Sequence, residues 1–135
     1  MTSAECGVRN AELNNSSQDS ALAKRTKQFA IDVIQFVEQL PKGRTADVIA
    51  RQLLRAGTSV GANYRSACRA KSRADFVAKM GIVEEEADET SYWFELLVEA
   101  HILPQERVAD LMKASDAIVA MSVASIRTAR GQRHA

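Results

Sequence analysis

Nine cations form the clearest chemical pattern in this sequence. Arg51, Arg55, Arg65 and Arg69 recur at steps of four, ten and four. Fourteen residues make close to four helical turns, so on a helix these side chains fall near one face. Lys24, Arg25 and Lys27 precede them and Lys71 and Arg73 follow, completing a surface of the kind that binds phosphate. A second pattern has the opposite sign. Glu84, Asp88, Glu95 and Glu99 repeat at helical spacing, with Glu85 and Glu89 beside them. Two readings stay open. Either the stripes face each other, in a helical hairpin or between subunits, as exposed ion pairs worth roughly 0 to 1 kcal/mol each, or the cations are free to hold a nucleic acid. Pairing is the simpler reading. Few aromatics interleave with the arginines, which leaves stacking on single-stranded bases with little support.

Other chemistry is thinly represented. An inward-facing metal bundle needs Glu-x-x-His pairs, but Val98 stands three residues before His101, and His134 lies near the end of the chain. The Glu84-Glu85-Glu86 run with Asp88 and Glu89 reads as a solvated face. Cys68 has no histidine at ligand spacing, which argues against zinc. Cys6 and Cys68 are too few for a disulfide framework and read as reduced thiols. A nucleophile needs an oriented base, and His101 sits on an apolar seam where a core or boundary histidine is the expectation. Pro41 to Thr45 is a turn and a cap, not a phosphate loop. No catalytic residue, metal or cofactor is expected.

Two further groups bear on assembly. Gly57 and Gly61 sit four apart with Tyr64 three beyond. Each helical glycine costs about 1 kcal/mol against alanine, so either another helix approaches closely there or the helix bends. Tyr92 and Trp93 are adjacent and cannot both point into one core. Either they share core and rim, or Trp93 anchors a contact between subunits. Gly57, Gly61, Tyr64, Tyr92 and Trp93 are therefore the expected oligomer interface.

Long helices must position all of these residues. Leu22, Thr26, Phe29, Val33, Phe36 and Leu40 recur at steps of three and four, predicting a first helix from a Ser20 cap to Leu40. Thr45 is the expected cap of a second helix reaching Arg69, about 37 Å long. Its seams are Ile49, Leu53, Ala56, Val60, Asn63 and Ala67, and beside them Leu54, Gly57, Gly61, Tyr64 and Cys68. Ser72, with Asp75 three residues on, predicts a third helix to about His101. Pro104 suits the first turn of a fourth, whose buried side runs through Val108, Leu111, Ser115, Ile118, Ser122 and Ser125. The expected fold is all-α, an antiparallel up-down-up-down four-helix bundle over residues 21–130. It follows a disordered leader, Met1 to Ser20, too polar to offset its ordering entropy. The end frays from Arg127, with a flexible basic tail at 131–135.

Composition agrees. Of 135 residues, twenty-two are Ala, seven aromatic and two Pro, favouring helix over sheet. No apolar run approaches the roughly 18 residues of a membrane span, and no signal peptide is visible, so a cytoplasmic protein is expected with no membrane and no small-molecule substrate. The net charge of +1 conceals segregation. Met1 to Arg73 carries +6, Ala74 to Ile126 −8, and Arg127 to Ala135 +3.

From about Arg25 to Leu103 the chain resembles the 23S rRNA intervening-sequence proteins. The likeness is carried by Arg51-Gln52-Leu53-Leu54-Arg55-Ala56-Gly57-Thr58-Ser59-Val60-Gly61-Ala62-Asn63-Tyr64-Arg65, by Ser72-Arg73-Ala74-Asp75-Phe76, and by Gly81-Ile82-Val83-Glu84-Glu85-Glu86-Ala87-Asp88-Glu89-Thr90. Many relatives follow the Asn with Ile-Ala-Glu-Gly, whereas Asn63 precedes Tyr64-Arg65-Ser66 here. The resemblance implies a small bundle that assembles into a ring, a pentamer, without enzymatic activity. Similar accessory proteins of diversity-generating retroelements bind nucleic acid and a reverse transcriptase through basic surfaces. The candidate partners are accordingly further copies of the chain, RNA or DNA, and another protein.

Overall fold

Leu22, Thr26, Phe29, Val33 and Phe36 are all buried along one side of the first helix, α1 (Ser16–Glu38). The three-four rhythm of the sequence thus becomes a continuous apolar edge. The computed structural model describes residues 16–131; the expected leader before Ser16 and the tail after Gly131 lie outside the described residues. Three further helices follow: α2 (Arg44–Cys68), α3 (Arg73–Glu99) and α4 (Ala109–Ala129). α1 packs on α2, α2 on α3 and α3 on α4, while α1 and α4 close the ring along a thinner seam. The arrangement is the antiparallel up-down-up-down bundle, and no strand occurs among the described residues.

On α2 the buried residues fall on both expected seams. Ile49, Leu53, Ala56, Val60 and Ala67 make one and Gly57, Tyr64 and Cys68 the other, while Asn63, Leu54 and Gly61 are only half-buried. Gly57 faces Val33 so closely that a Cβ added there would lie 2.9 Å from Val33 Cγ1 and 3.1 Å from its Cβ. The close approach expected of this glycine is the approach of α1 from the same chain. Across the core, the Phe36 and Phe94 rings meet edge to face, with centroids 5.3 Å apart at 83°, a favoured aromatic geometry. Between α3 and α4 the seam contains buried hydroxyls. The single Ser115 proton goes to the Met112 carbonyl, 3.0 Å away, so Ser91 donates to Ser115. Thr90 donates to the Glu86 carbonyl at 2.7 Å.

The helix ends differ from several expectations. α1 starts at Ser16, ahead of Ser20, and stops at Glu38, where Gln39 and Leu40 turn back onto the Phe36 and Val37 carbonyls. Gly43 occupies the start of α2 in place of Thr45. Its carbonyl accepts the first helical bond, from Asp47, at 2.9 Å, without a side-chain cap. Ser72 does cap α3. Its hydroxyl accepts from the Asp75 N–H at 3.0 Å, and the Asp75 carboxylate accepts from the Lys71 N–H at 3.1 Å. Pro104 opens a 3₁₀ turn, Gln105–Arg107, instead of α4 itself. α4 then runs to Ala129, past the expected fraying point at Arg127, because Ile126 and Ala129 are still buried.

His101 is exposed, not a core histidine. The helix ends two residues before it and His101 adopts φ 61°, the left-handed conformation. Its N–H bonds to the Val98 carbonyl at 3.0 Å, and the Ile102 N–H reaches back to Leu97 at 2.9 Å. That pair of bonds is a Schellman motif, in which glycine ordinarily takes the left-handed place. Cys68 is disulfide-bonded, not the reduced thiol expected.

Two stability measurements check this account. Gly57→Ala is expected to cost about 1 to 3 kcal/mol by overpacking against the β-branched Val33, partly restored by adding Val33→Ala, in urea unfolding. His101→Gly is expected to raise stability by up to about 1 kcal/mol, since it removes a left-handed side-chain clash at some entropic cost.

Candidate functional site

α1 and α2 leave a groove of about 740 Å³ along the N-terminal half of α1 and the C-terminal half of α2. Small residues explain it. Ala23 and Ala30 on α1, and Thr58, Gly61 and Ala62 on α2, line the depression. A Cβ at Gly61 would sit 3.4 Å from the Thr26 carbonyl oxygen, so the α1 backbone itself forms part of the floor. Tyr64 and Cys68 are buried beneath it.

Lys24 and Lys27 rise from one wall, Arg65 and Arg69 from the other. All four are exposed, no carboxylate lines the groove, and none of the four enters an ion pair among the described residues. The positions follow from helix geometry. Lys24 and Lys27 are three apart and Arg65 and Arg69 four apart, so each pair shares a face. Antiparallel packing then sets one pair opposite the other. Four like charges above a low-dielectric floor concentrate positive potential in one trough.

The other sequence-derived cations are elsewhere. Arg51 and Arg25 are exposed and do not line the groove, and Lys71 and Arg73 flank the Ser72 cap at the α2–α3 turn. Arg55 is engaged by α3. One Nη of its guanidinium lies 3.2 Å from a Glu86 carboxylate oxygen, and the other bonds to Glu89. A rise of 1.5 Å per residue separates Arg55 from Arg65 by about 15 Å along α2. One end of the arginine stripe therefore meets α3 and the other meets the lysines of α1. Of the expected acidic pattern only the flanking Glu89 pairs with Arg55, together with Glu86; Glu84, Asp88, Glu95 and Glu99 enter no ion pair among the described residues. Sequence reasoning also passed over Thr58 and Ala62, whose only signal was their small size on the glycine-bearing face.

Trp93 is half-buried and its indole N–H donates to Glu89 at 3.1 Å. Tyr92 is 52% exposed and meets the Trp93 ring edge-on, with centroids 5.1 Å apart. Of the expected interface residues, Gly57 and Tyr64 are buried within the chain, Gly61 floors the groove, and Tyr92 and Trp93 lie on α3. Burial raises the Glu89 pKa, but the Trp93 N–H and the Arg55 guanidinium outweigh it and hold the carboxyl below its usual range. The Glu89 hydrogen bond correspondingly raises the pKa of Arg55. Asp75 is lowered by the Lys71 N–H and the Lys79 ammonium. Among the described residues no group of His, Cys, Asp and Glu is placed to hold a metal ion, and no helix is long and apolar enough to cross a membrane.

Comparison with known proteins adds three findings. The model of the family described as 23S rRNA-intervening sequence protein matches residues 18–124. A solved structure from Bacteroides thetaiotaomicron, a protein with unknown function from the S23 ribosomal protein family, is 34% identical; the match covers 80% of this chain and 96% of that one, with a TM-score of 0.75. None of the curated proteins matches.

The lowered carboxylates set an acid limit. Because the folded pKa values of Glu89 and Asp75 lie below 4.5 and 3.8, their stabilisation is present above those values and is lost as pH falls through the folded ones. Thermal melts are expected to decline below about pH 4.5, and less steeply in Glu89→Gln.

Proposed function

Because the chain belongs to the 23S rRNA-intervening sequence protein family, we propose that it acts by binding, without catalysis, and that the α1–α2 groove holds the phosphate backbone of a nucleic acid. One observation carries this reading: Lys24, Lys27, Arg65 and Arg69 converge on a single groove lined by no carboxylate among the described residues. Cations already paired, as Arg55 is with Glu86 and Glu89, would have to break those contacts before engaging phosphate. Among the described residues of one chain, the groove cations enter no such pair.

The lining also bears on the type of contact. Its one aromatic residue, Tyr64, is 3% exposed, so it offers no platform for stacked bases. Backbone neutralisation is the chemistry that remains, with affinity coming from counterion release and little discrimination of sequence. Arg25, Arg51, Lys71 and Arg73 extend the positive surface beyond the groove. A homo-oligomer, the pentamer implied by family likeness, belongs to the same proposal. Gly61, Tyr92 and Trp93 remain the residues proposed for contacts between subunits.

A salt titration tests the reading. With four phosphates neutralised, the slope of log K against log[salt] is expected near about −3, and Arg65→Ala/Arg69→Ala should reduce its magnitude by about 1.5 for RNA and DNA alike. Anisotropy of labelled duplexes and single strands measures both. Undetectable binding at low salt overturns the proposal.

A further inference from the structure

On its outer side α3 presents an unpartnered row. Glu85, Asp88, Tyr92, Glu95 and Glu99 are all exposed, at the three-four spacing that keeps them on one face. None of the four carboxylates is in an ion pair among the described residues, since the α3 carboxylates that meet Arg55 are Glu86 and Glu89. In the middle stands Tyr92, the most exposed large hydrophobic side chain among the described residues.

This row is the counterpart of the groove in charge and shape. It runs about 21 Å from Glu85 to Glu99, and its part from Asp88 to Glu99 spans about 16 Å, as does the groove wall from Thr58 to Arg69. Both have their charges toward the ends or rims and a different feature at the centre. In the row it is the projecting Tyr92 ring; in the groove it is the depression made by Ala23, Ala30, Gly61 and Ala62. We infer that the outer face of α3 of a second copy seats in the α1–α2 groove, with Tyr92 in the depression and the α3 carboxylates against the groove cations, so that self-assembly and nucleic-acid binding compete for one site.

The contact joins two different patches, so it propagates head to tail and is satisfied all round only when the ring closes. Segregated charge favours it over face-to-face contact, since like surfaces would oppose each other. The competition rests on the function proposed above; the seating of α3 does not. A nucleic acid that enters the groove displaces Asp88 and Glu95 of the neighbouring copy, releasing protomers as it binds.

A charge swap read by sedimentation without nucleic acid tests the seating. Asp88→Lys/Glu95→Lys and Lys27→Glu/Arg69→Glu should each weaken assembly by at least about tenfold, and the fourfold variant should recover it. Tyr92→Ala alters no charge and should also weaken assembly, with thermal melts verifying that each variant folds. A wild-type monomer at micromolar concentration, assembly indifferent to both charge sets, or no recovery in the swap overturns the seating. With labelled duplex RNA, Tyr92→Ala should bind more tightly than wild type at concentrations where wild type is assembled. Equal binding by the two overturns the competition. No binding by either overturns the nucleic-acid reading and the competition with it, and leaves the sedimentation result to decide the seating.

Discussion

The approach of α1 to α2 at Gly57 governs the rest of the molecule. Val33 occupies the space that a side chain on Gly57 would fill, and one turn further on, at Gly61, the Thr26 carbonyl lies against the helix surface. Two backbones this close leave little room for side chains between them, so the residues at the margins must project outward. Lys24, Lys27, Arg65 and Arg69 are those residues. The groove is thus a consequence of helix packing, and its positive charge a consequence of which residues border the glycines. Glycine lowers helix propensity at both positions; the burial of Leu22, Phe29 and Val33 against α2 offsets that loss.

Electrostatics divides α2 lengthwise. Near its middle, Arg55 forks between Glu86 and Glu89, and the Trp93 indole N–H donates to the same Glu89 oxygen. These groups are partly exposed, so their worth is modest, but they fix the rotation of α3 against α2 and leave a separate acidic row facing outward. Toward its C-terminus, α2 borders the lysines of α1 and, among the described residues, no carboxylate lines the groove between them. Opposite charges in one chain therefore end in different environments, one set spent within the bundle and the others held at its surface.

Turns supply the remaining definition. At Ser72 the hydroxyl and the Asp75 carboxylate satisfy N–H groups at the start of α3, and Ala70 is buried beneath. At the far end, His101 accepts a left-handed conformation so that Ile102 and Leu103 can bond back to Leu97 and bury their side chains against the core. Leu103 and Val108 then bracket the 3₁₀ turn as apolar anchors. Each of these local devices sets where the next helix begins, and so which of its faces is turned inward.

Much of this was legible in the linear chain. The rhythm of Leu22, Phe29 and Val33, the twin seams of α2, and the Ser72 cap with Asp75 three residues later determined four helices and their buried faces, because period and cap chemistry are local properties. Helix ends were less legible. Gly43 replaced Thr45, and His101 fell outside the seam it appeared to continue, since termination depends on which carbonyls the following turn can reach. Partnership was legible only in part: pairing between the arginine and acidic stripes was the simpler reading, and it holds for Arg55 with Glu86 and Glu89, but which arginine would pair was beyond the sequence. Arg55 and Arg65 are alike in type and face, yet one meets Glu86 and Glu89 and the other borders a groove with Lys24 and Lys27. Only the tertiary structure decided that, because the sign of a neighbour across 15 Å of helix is set by which helix lies alongside, and spacing within one helix carries no information about the next.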